Sequence, residues 1–155
     1  MLALLSMLSV AVWAGYAPSK VQAAFKKMYP KVTYPDWSQE SNYYVADFMQ
    51  NGFETDVWFD GRANWIMTQT DWETLDNAPD AVYNAFSQGE YSNGQIEDVT
   101  LVEFPKCPSV VVIEVEAYNE DMKVQLFYSQ DGELLQTRNL GYLESTLWPN
   151  LFNCN

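Results

Sequence analysis

Apolar residues recur along this chain with two different periods. Val21, Ala24, Phe25 and Met28 fall at i, i+3, i+4 and i+7, which gathers them on one stripe of a helix. Val82, Ala85 and Phe86 repeat the start of that stripe. Pro18 and Pro79 precede the two stripes, at a first turn where a fixed helical φ costs no hydrogen bond. Tyr29-Pro30 stops the first helix, and Gly89 suits the end of the second.

Runs rich in aromatic and β-branched residues follow each helix and predict strands. After the first helix they are Val32 to Trp37, Tyr43 to Met49, Glu54 to Phe59 and Ala63 to Thr70. After the second they are Ile96 to Phe104, Val110 to Tyr118, Met122 to Tyr128 and Glu133 to Thr137. Asn51-Gly52 and Asp60-Gly61 separate runs in the first set, as hairpin dipeptides that accept positive φ. Asn119-Glu120-Asp121 and Asp131-Gly132 supply the turns of the second set.

The two sets read as a tandem duplication. Pro18-Ser19-Lys20-Val21-Gln22-Ala23-Ala24-Phe25 aligns with Pro79-Asp80-Ala81-Val82-Tyr83-Asn84-Ala85-Phe86, with Pro, Val, Ala and Phe coinciding. The predicted fold is therefore α+β: a two-layer arrangement of a helix followed by an antiparallel meander of about four strands, twice over. The segments are 15–75 and 76–138, preceded by 1–14 and followed by a tail, 139–155. The helices should cover one sheet face and leave the other to water.

Alternation assigns the faces. Val111, Ile113, Val115 and Ala117 share one face with Met122, Val124, Leu126 and Tyr128, and should meet the helices. Glu114, Glu116, Tyr118, Lys123, Gln125 and Phe127 point the other way. In the first set Thr55, Val57 and Phe59 read as inward, and Glu54, Asp56, Trp58 and Asp60 as outward. The run Asn64 to Met67 is ambiguous. An exposed Trp58 flanked by carboxylates would mark a contact site. The rival reading packs Trp58 on cross-strand neighbours or under the tail. The tail carries Leu143, Leu147, Trp148, Leu151 and Phe152; Leu140 to Leu147 could form a helical turn or two, interrupted by Pro149.

Composition narrows the chemistry. Apolar residues make up 48% of the 155, enough for a core and too many for a disordered chain. Eight basic residues against 21 acidic ones give a net charge of −13, which repels nucleic acid and anionic lipid surfaces. A basic partner, a neutral polymer or a cation is compatible with it, and acidity also serves solubility alone. There is no histidine, which removes Ser-His-Asp and Cys-His pairs, histidine-ligated zinc and the usual neutral-pH base. Carboxylate pairs Asp56/Asp60 and Glu114/Glu116 have the spacing of any acidic strand face. Asp71-Trp72-Glu73 and Glu120-Asp121 lack calcium-loop spacing, and the seven glycines stand singly, so no phosphate loop exists. No catalytic residue, metal or cofactor is expected.

Residues 1–14 are apolar apart from two serines, too short to span a bilayer but suited to a signal-peptide core. Val12 and Ala14 fit a cleavage site before Gly15, although no Lys or Arg precedes the run. Export permits a disulfide. Cys107 and Cys154 belong to no CxxC pair, and a bridge between them would close a loop of about 47 residues, roughly 4 kcal/mol of stabilisation on the chain-entropy model.

A Pro-x-x-Val-x-x-Ala-Phe helix leading to Tyr29-Pro30 and Trp37, then Asp56-Val57-Trp58-Phe59-Asp60, then Phe127-Tyr128-x-x-Asp131-Gly132, resembles the β-lactamase-inhibitor-like, PepSY-like family of exported bacterial proteins. The resemblance spans about 16 to 138. It implies a fold like that of the β-lactamase inhibitor protein, a periplasmic or secreted location, and a binding role near the envelope. Val21, Phe25, Val57, Phe59, Val82 and Phe86 carry the match and read as core, so they transfer fold rather than function.

The expectation is thus a non-catalytic binding module for a protein or peptide of the cell envelope, without nucleic acid or a membrane span in the mature chain. Its site residues would be Glu54, Asp56, Trp58, Glu114, Glu116, Tyr118 and Phe127. Two alternatives stand beside it: a carboxylate-based hydrolase acting on envelope polymer, and a structural or assembly subunit.

Overall fold

The computed structural model describes residues 16–117, 122–141, 143 and 145–154. The predicted signal peptide, Tyr118 and the turn at 119–121 lie outside the described residues. The helices are α1 (Ser19–Met28) and α2 (Asp80–Ser87). Among the described residues eight strands form one antiparallel sheet in chain order: β1 (Asp36–Glu40), β2 (Tyr43–Gln50), β3 (Phe53–Asp60), β4 (Trp65–Asp71), β5 (Gln95–Glu103), β6 (Val110–Ala117), β7 (Met122–Ser129) and β8 (Leu134–Asn139). One helix precedes each run of four strands, and β4 pairs directly with β5, so the two runs share a continuous sheet.

Each proline sits one position before its helix rather than inside the first turn. The Pro18 carbonyl accepts the N–H groups of Val21 (2.8 Å) and Gln22, and the Pro79 carbonyl those of Val82 (2.9 Å) and Tyr83. α1 lays Val21 and Phe25 on Ala46, Phe48, Val57 and Phe59; Met28, expected on the same stripe, is largely exposed. α2 lays Val82 and Phe86 on a face built from Val99, Val111, Ile113, Val115, Val124 and Leu126. These are the inward sets expected from alternation.

Three local features differ from the expectation. β1 begins at Asp36, not Val32, because Pro35 cannot donate to the ladder and the strand starts after it. Phe59 pairs with Trp65 while Trp58 pairs with Met67, so the bulge inserts Ile66. Trp65 therefore packs with the inner cluster and Met67 with the outer one, which resolves the ambiguity in this run. In the turn of the same β3–β4 hairpin the positive φ falls on Ala63 rather than Gly61. Asp60 organises that turn by accepting the N–H groups of Arg62 (2.8 Å) and Asn64 (2.9 Å). At Asn51-Gly52 both residues have positive φ, as a tight hairpin requires.

The tail is not helical over 145–148; a short 3-10 turn begins at Pro149 instead of a helix ending there. It lies on the sheet face opposite the helices. Leu147 and Phe152 are buried there among Val45, Trp58, Met67, Val112 and Phe127. Cys154 is bonded to Cys107, Cα to Cα 5.7 Å, which ties the tail to the β5–β6 loop.

Candidate functional site

The outer face is divided. The tail covers its aromatic part and leaves an acidic trough of about 500 Å³ beside it. Cross-strand register places Asp36 opposite Asp47, and Asp47 opposite Asp56, so three aspartates run side by side across β1, β2 and β3. On the second run of strands Asp98 lies opposite Glu114. A second hollow of about 180 Å³ adds Glu54 and Asp71, and shares Asp56, Gln69, Asp98 and Thr100 with the first. Among the described residues, no Lys or Arg lines either hollow.

Burial and like charge act together here. Burial, then the charges of Asp47, Glu54 and Glu40, push the Asp56 carboxyl up to about 6. Burial also raises Asp98 to about 6, with Asp71 adding to the rise and the Thr100 hydroxyl opposing it. Asp47 is raised by burial and by Asp36. Asp60 is the opposite case: its turn hydrogen bonds, from Asn64 above all, outweigh burial and hold it below the carboxylate range. Among the described residues no three acidic side chains converge closely enough to hold a metal ion.

One wall of the trough is the tail itself, held by side-chain donors. Gln125 donates from Nε2 to the Ser145 carbonyl (2.6 Å) and to Glu114 Oε2 (3.2 Å). Arg138 donates to Gln125 Oε1 (3.0 Å) and to the Thr146 carbonyl, and Gln69 Nε2 donates to the Leu147 carbonyl (2.9 Å). Lys123 approaches Glu97 at 3.7 Å and Glu114 at 3.8 Å. Trp58 forms part of the trough wall, and its buried indole N–H has no acceptor among the described residues.

The expected site residues divide accordingly. Asp56 lies in the trough, and Glu54 is exposed and lines only the second hollow. Trp58 faces outward as expected but is not exposed: 3% remains accessible, because Tyr43 and Trp148 meet it edge-on at 5.8 and 5.6 Å. Phe127 is 2% exposed under Phe152, with ring centres 5.6 Å apart. Glu114 is 9% exposed, since Gln125 and the tail cover it. Glu116 sits opposite Lys123 and is not among the lining residues. Tyr118 lies outside the described residues. Asp36, Asp47 and Asp98 were not anticipated. Asp47 was reachable, because a tight turn at Asn51-Gly52 pairs Gln50 with Phe53 and hence Asp47 with Asp56.

Two helices on one face of an antiparallel meander, with an acidic opposite face, define an α+β protein of the β-lactamase-inhibitor-like class. Residues 42–136 match the family described as "Putative beta-lactamase-inhibitor-like, PepSY-like", and the chain belongs to it. The structure is similar to that of a DUF2874 family protein from Bacteroides uniformis, at 53% identity and TM-score 0.79, covering 82% of this chain and 92% of that one. A DUF2874 family protein from Bacteroides ovatus is similar at 47% identity and TM-score 0.85, covering 90% and 99%. A protein of Bacteroides eggerthii described as putative periplasmic is similar at 49% identity and TM-score 0.80, covering 84% and 94%. No curated protein matches the chain. Among the described residues no helix is long and apolar enough to cross a membrane.

Proposed function

We propose that the chain is a non-catalytic binding module, exported to the periplasm or beyond, that holds a protein or peptide of the cell envelope in the acidic trough of its outer sheet face. The observation that carries this reading is the row Asp36, Asp47, Asp56. Like charges directly opposite on a sheet are destabilising, so this row contributes nothing to folding that would account for it. The reading moves the site away from Trp58 and Phe127, whose surface the tail already occupies. The apolar run at 1–14 and the periplasmic description of the B. eggerthii relative support export. The two runs of helix plus four strands are read as copies of one ancestral unit, supported by Val21/Val82 and Phe25/Phe86, each buried on its own sheet region.

Hydrolysis by paired carboxyls is the weaker reading. It needs one carboxyl kept protonated and a partner kept ionised. In the trough Asp56 and Asp98 are both raised, and the lowered Asp60 organises a turn. The test is affinity capture from envelope extract with wild-type protein and with Asp56→Asn/Asp98→Asn. Wild type should retain a discrete partner that the folded double variant loses. Equal retention by both would remove the trough from the binding surface.

A further inference from the structure

We infer that segment 145–154 is a releasable strap: reduction of the Cys107–Cys154 bridge frees it, and the aromatic half of the outer face then accepts a peptide carrying the same apolar anchors. This concerns the surface beside the trough and does not rest on the reading of the trough itself.

The first observation is how the main chain of the tail is held. The strands bond to their neighbours along the whole sheet. Among the described residues the tail adds no rung to that ladder. The N–H groups of Trp148, Leu151, Phe152 and Cys154 turn back to carbonyls of the tail itself. The hydrogen bonds that do reach the sheet come from the side chains of Gln125, Arg138 and Gln69, to the carbonyls of Ser145, Thr146 and Leu147. Beyond Leu147 the tail is held by side-chain packing and by the bridge. A segment tied so sparsely through its backbone opens locally while the rest stays folded.

The second is what the tail covers. Its buried anchors, Leu147 and Phe152, sit on Val45, Trp58, Met67, Val112 and Phe127. Trp148 meets Trp58 edge-on at 5.6 Å, and Phe152 meets Phe104 at 4.9 Å and Phe127 at 5.6 Å. Lifting the tail would bare a continuous apolar and aromatic surface, of the kind that marks a protein contact. The tail itself shows what that surface accepts. It is a short peptide with two apolar anchors, and with carbonyls at and before the first anchor for the three side-chain donors.

The third is the latch. Cys154 lies past both anchors and Cys107 lies on the β5–β6 loop, so the bridge pins the end of the tail that the side-chain donors do not reach. Both cysteines are partly exposed. They line a hollow of about 420 Å³ together with Phe127, Leu135 and Phe152, which gives a reductant its approach. The signal is a dithiol. Its thiolate attacks one sulfur of the bridge, forming a mixed disulfide and releasing the other cysteine as a thiol. Its second thiol then displaces the remaining cysteine. Two electrons and two protons pass to Cys107 and Cys154, and the reductant leaves as its own disulfide. In an oxidising compartment the bridged, covered form is the resting state.

The test is fluorescence anisotropy with a fluorescein-labelled peptide, Ser-Thr-Leu-Trp-Pro-Asn-Leu-Phe-Asn. This is the sequence of 145–153, and it stops before Cys154 so that it cannot exchange disulfides. It is titrated with the mature protein in bridged form, with the same protein in dithiothreitol, and with Cys107→Ser/Cys154→Ser. The tethered tail competes for the surface, so apparent affinity reports the open fraction. Both bridge-free forms should bind the peptide at least roughly tenfold more tightly than the bridged form, and reoxidation should restore the weaker value. A peptide with Leu147→Ala/Phe152→Ala should bind none of them. Far-ultraviolet circular dichroism should show the sheet intact in all three. Equal affinity for bridged and bridge-free protein would overturn the latch. No binding to a folded bridge-free form would overturn the strap. Loss of the sheet on reduction would also overturn the proposal, because the bridge would then hold the fold and not the strap.

Discussion

The two faces of one sheet are closed in different ways. The inner face meets two helices through apolar side chains, and Val57, Phe59, Val111 and Ile113 are fully buried there. The outer face is closed over part of its area by a tail that relies on a disulfide, on aromatic contacts and on side-chain bonds to carbonyls. The remainder is left as a row of mutually repelling aspartates. Apolar closure supplies stability without directional demands. Polar closure leaves a rim of directed donors and unpaired charge, which is what a recognition surface needs. On the proposed reading, the fold places its stability on one face and its selectivity on the other.

The largest way to break this comparison is Phe59→Ala on the inner face. It should cost about 3–5 kcal/mol in urea unfolding, as deletion of a fully buried aromatic does. A loss below about 1 kcal/mol would mean that the helix-covered face is not the main core. Next comes the clasp on the outer face. Cys107→Ser/Cys154→Ser should cost roughly 2–4 kcal/mol, the worth of a bridge closing a long loop. It should also raise acrylamide quenching of tryptophan fluorescence more than Phe59→Leu does, since Trp148 of the tail packs on Trp58. Unchanged quenching would show that the tail stays seated without its clasp.

The smallest effect is electrostatic and has the opposite sign. Asp56 and Asp98 titrate near 6 when folded, above the ordinary 3.8, so between those values the folded chain binds more protons than the unfolded one. Their contribution to stability is therefore present in acid and is lost as pH rises from about 4 through about 6. Asp60 works the other way, but its contribution is lost only as pH falls towards its depressed value. The charged groups facing Asp56 are Asp47, Glu54 and Glu40, and Asp71 faces Asp98; all are acidic, and the hydrogen bonds from Thr100 and the Val99 N–H offset the rise at Asp98 only in part. Asp56→Asn should accordingly flatten the decline in melting temperature between pH 4.5 and 7 and raise the value at pH 7. A variant less stable than wild type at pH 7 would contradict the placement of Asp56 in a repelling row.

Much of this was legible in the pattern of residues. Seven of the eight strands lie close to their apolar and β-branched runs, because period-2 alternation survives wherever one face is buried. β1 escaped, since Ser41 adopts a positive φ without glycine to announce the turn, and Pro35 displaced the start. The Asp47–Asp56 pair of the aspartate row was also within reach through the Asn51-Gly52 hairpin. Asp98 was not, because a bulge between Ile96 and Asp98 breaks simple alternation just before it.

By itself, then, the sequence determined two helices, most of their stripes, the Asn51-Gly52 turn, the inner faces of β3, β6 and β7 and an acid-rich outer face, all of which follow from periods and turn chemistry within a few residues. Only the tertiary structure decided where the tail lies, that Trp58 and Phe127 are covered, and that the aspartates of β1 to β3 share a trough with Asp98. The physical reason is range. The Gln69 bond to the Leu147 carbonyl spans 78 residues and the Cys107 to Cys154 bridge spans 47, and contacts of that separation leave no local period in the chain.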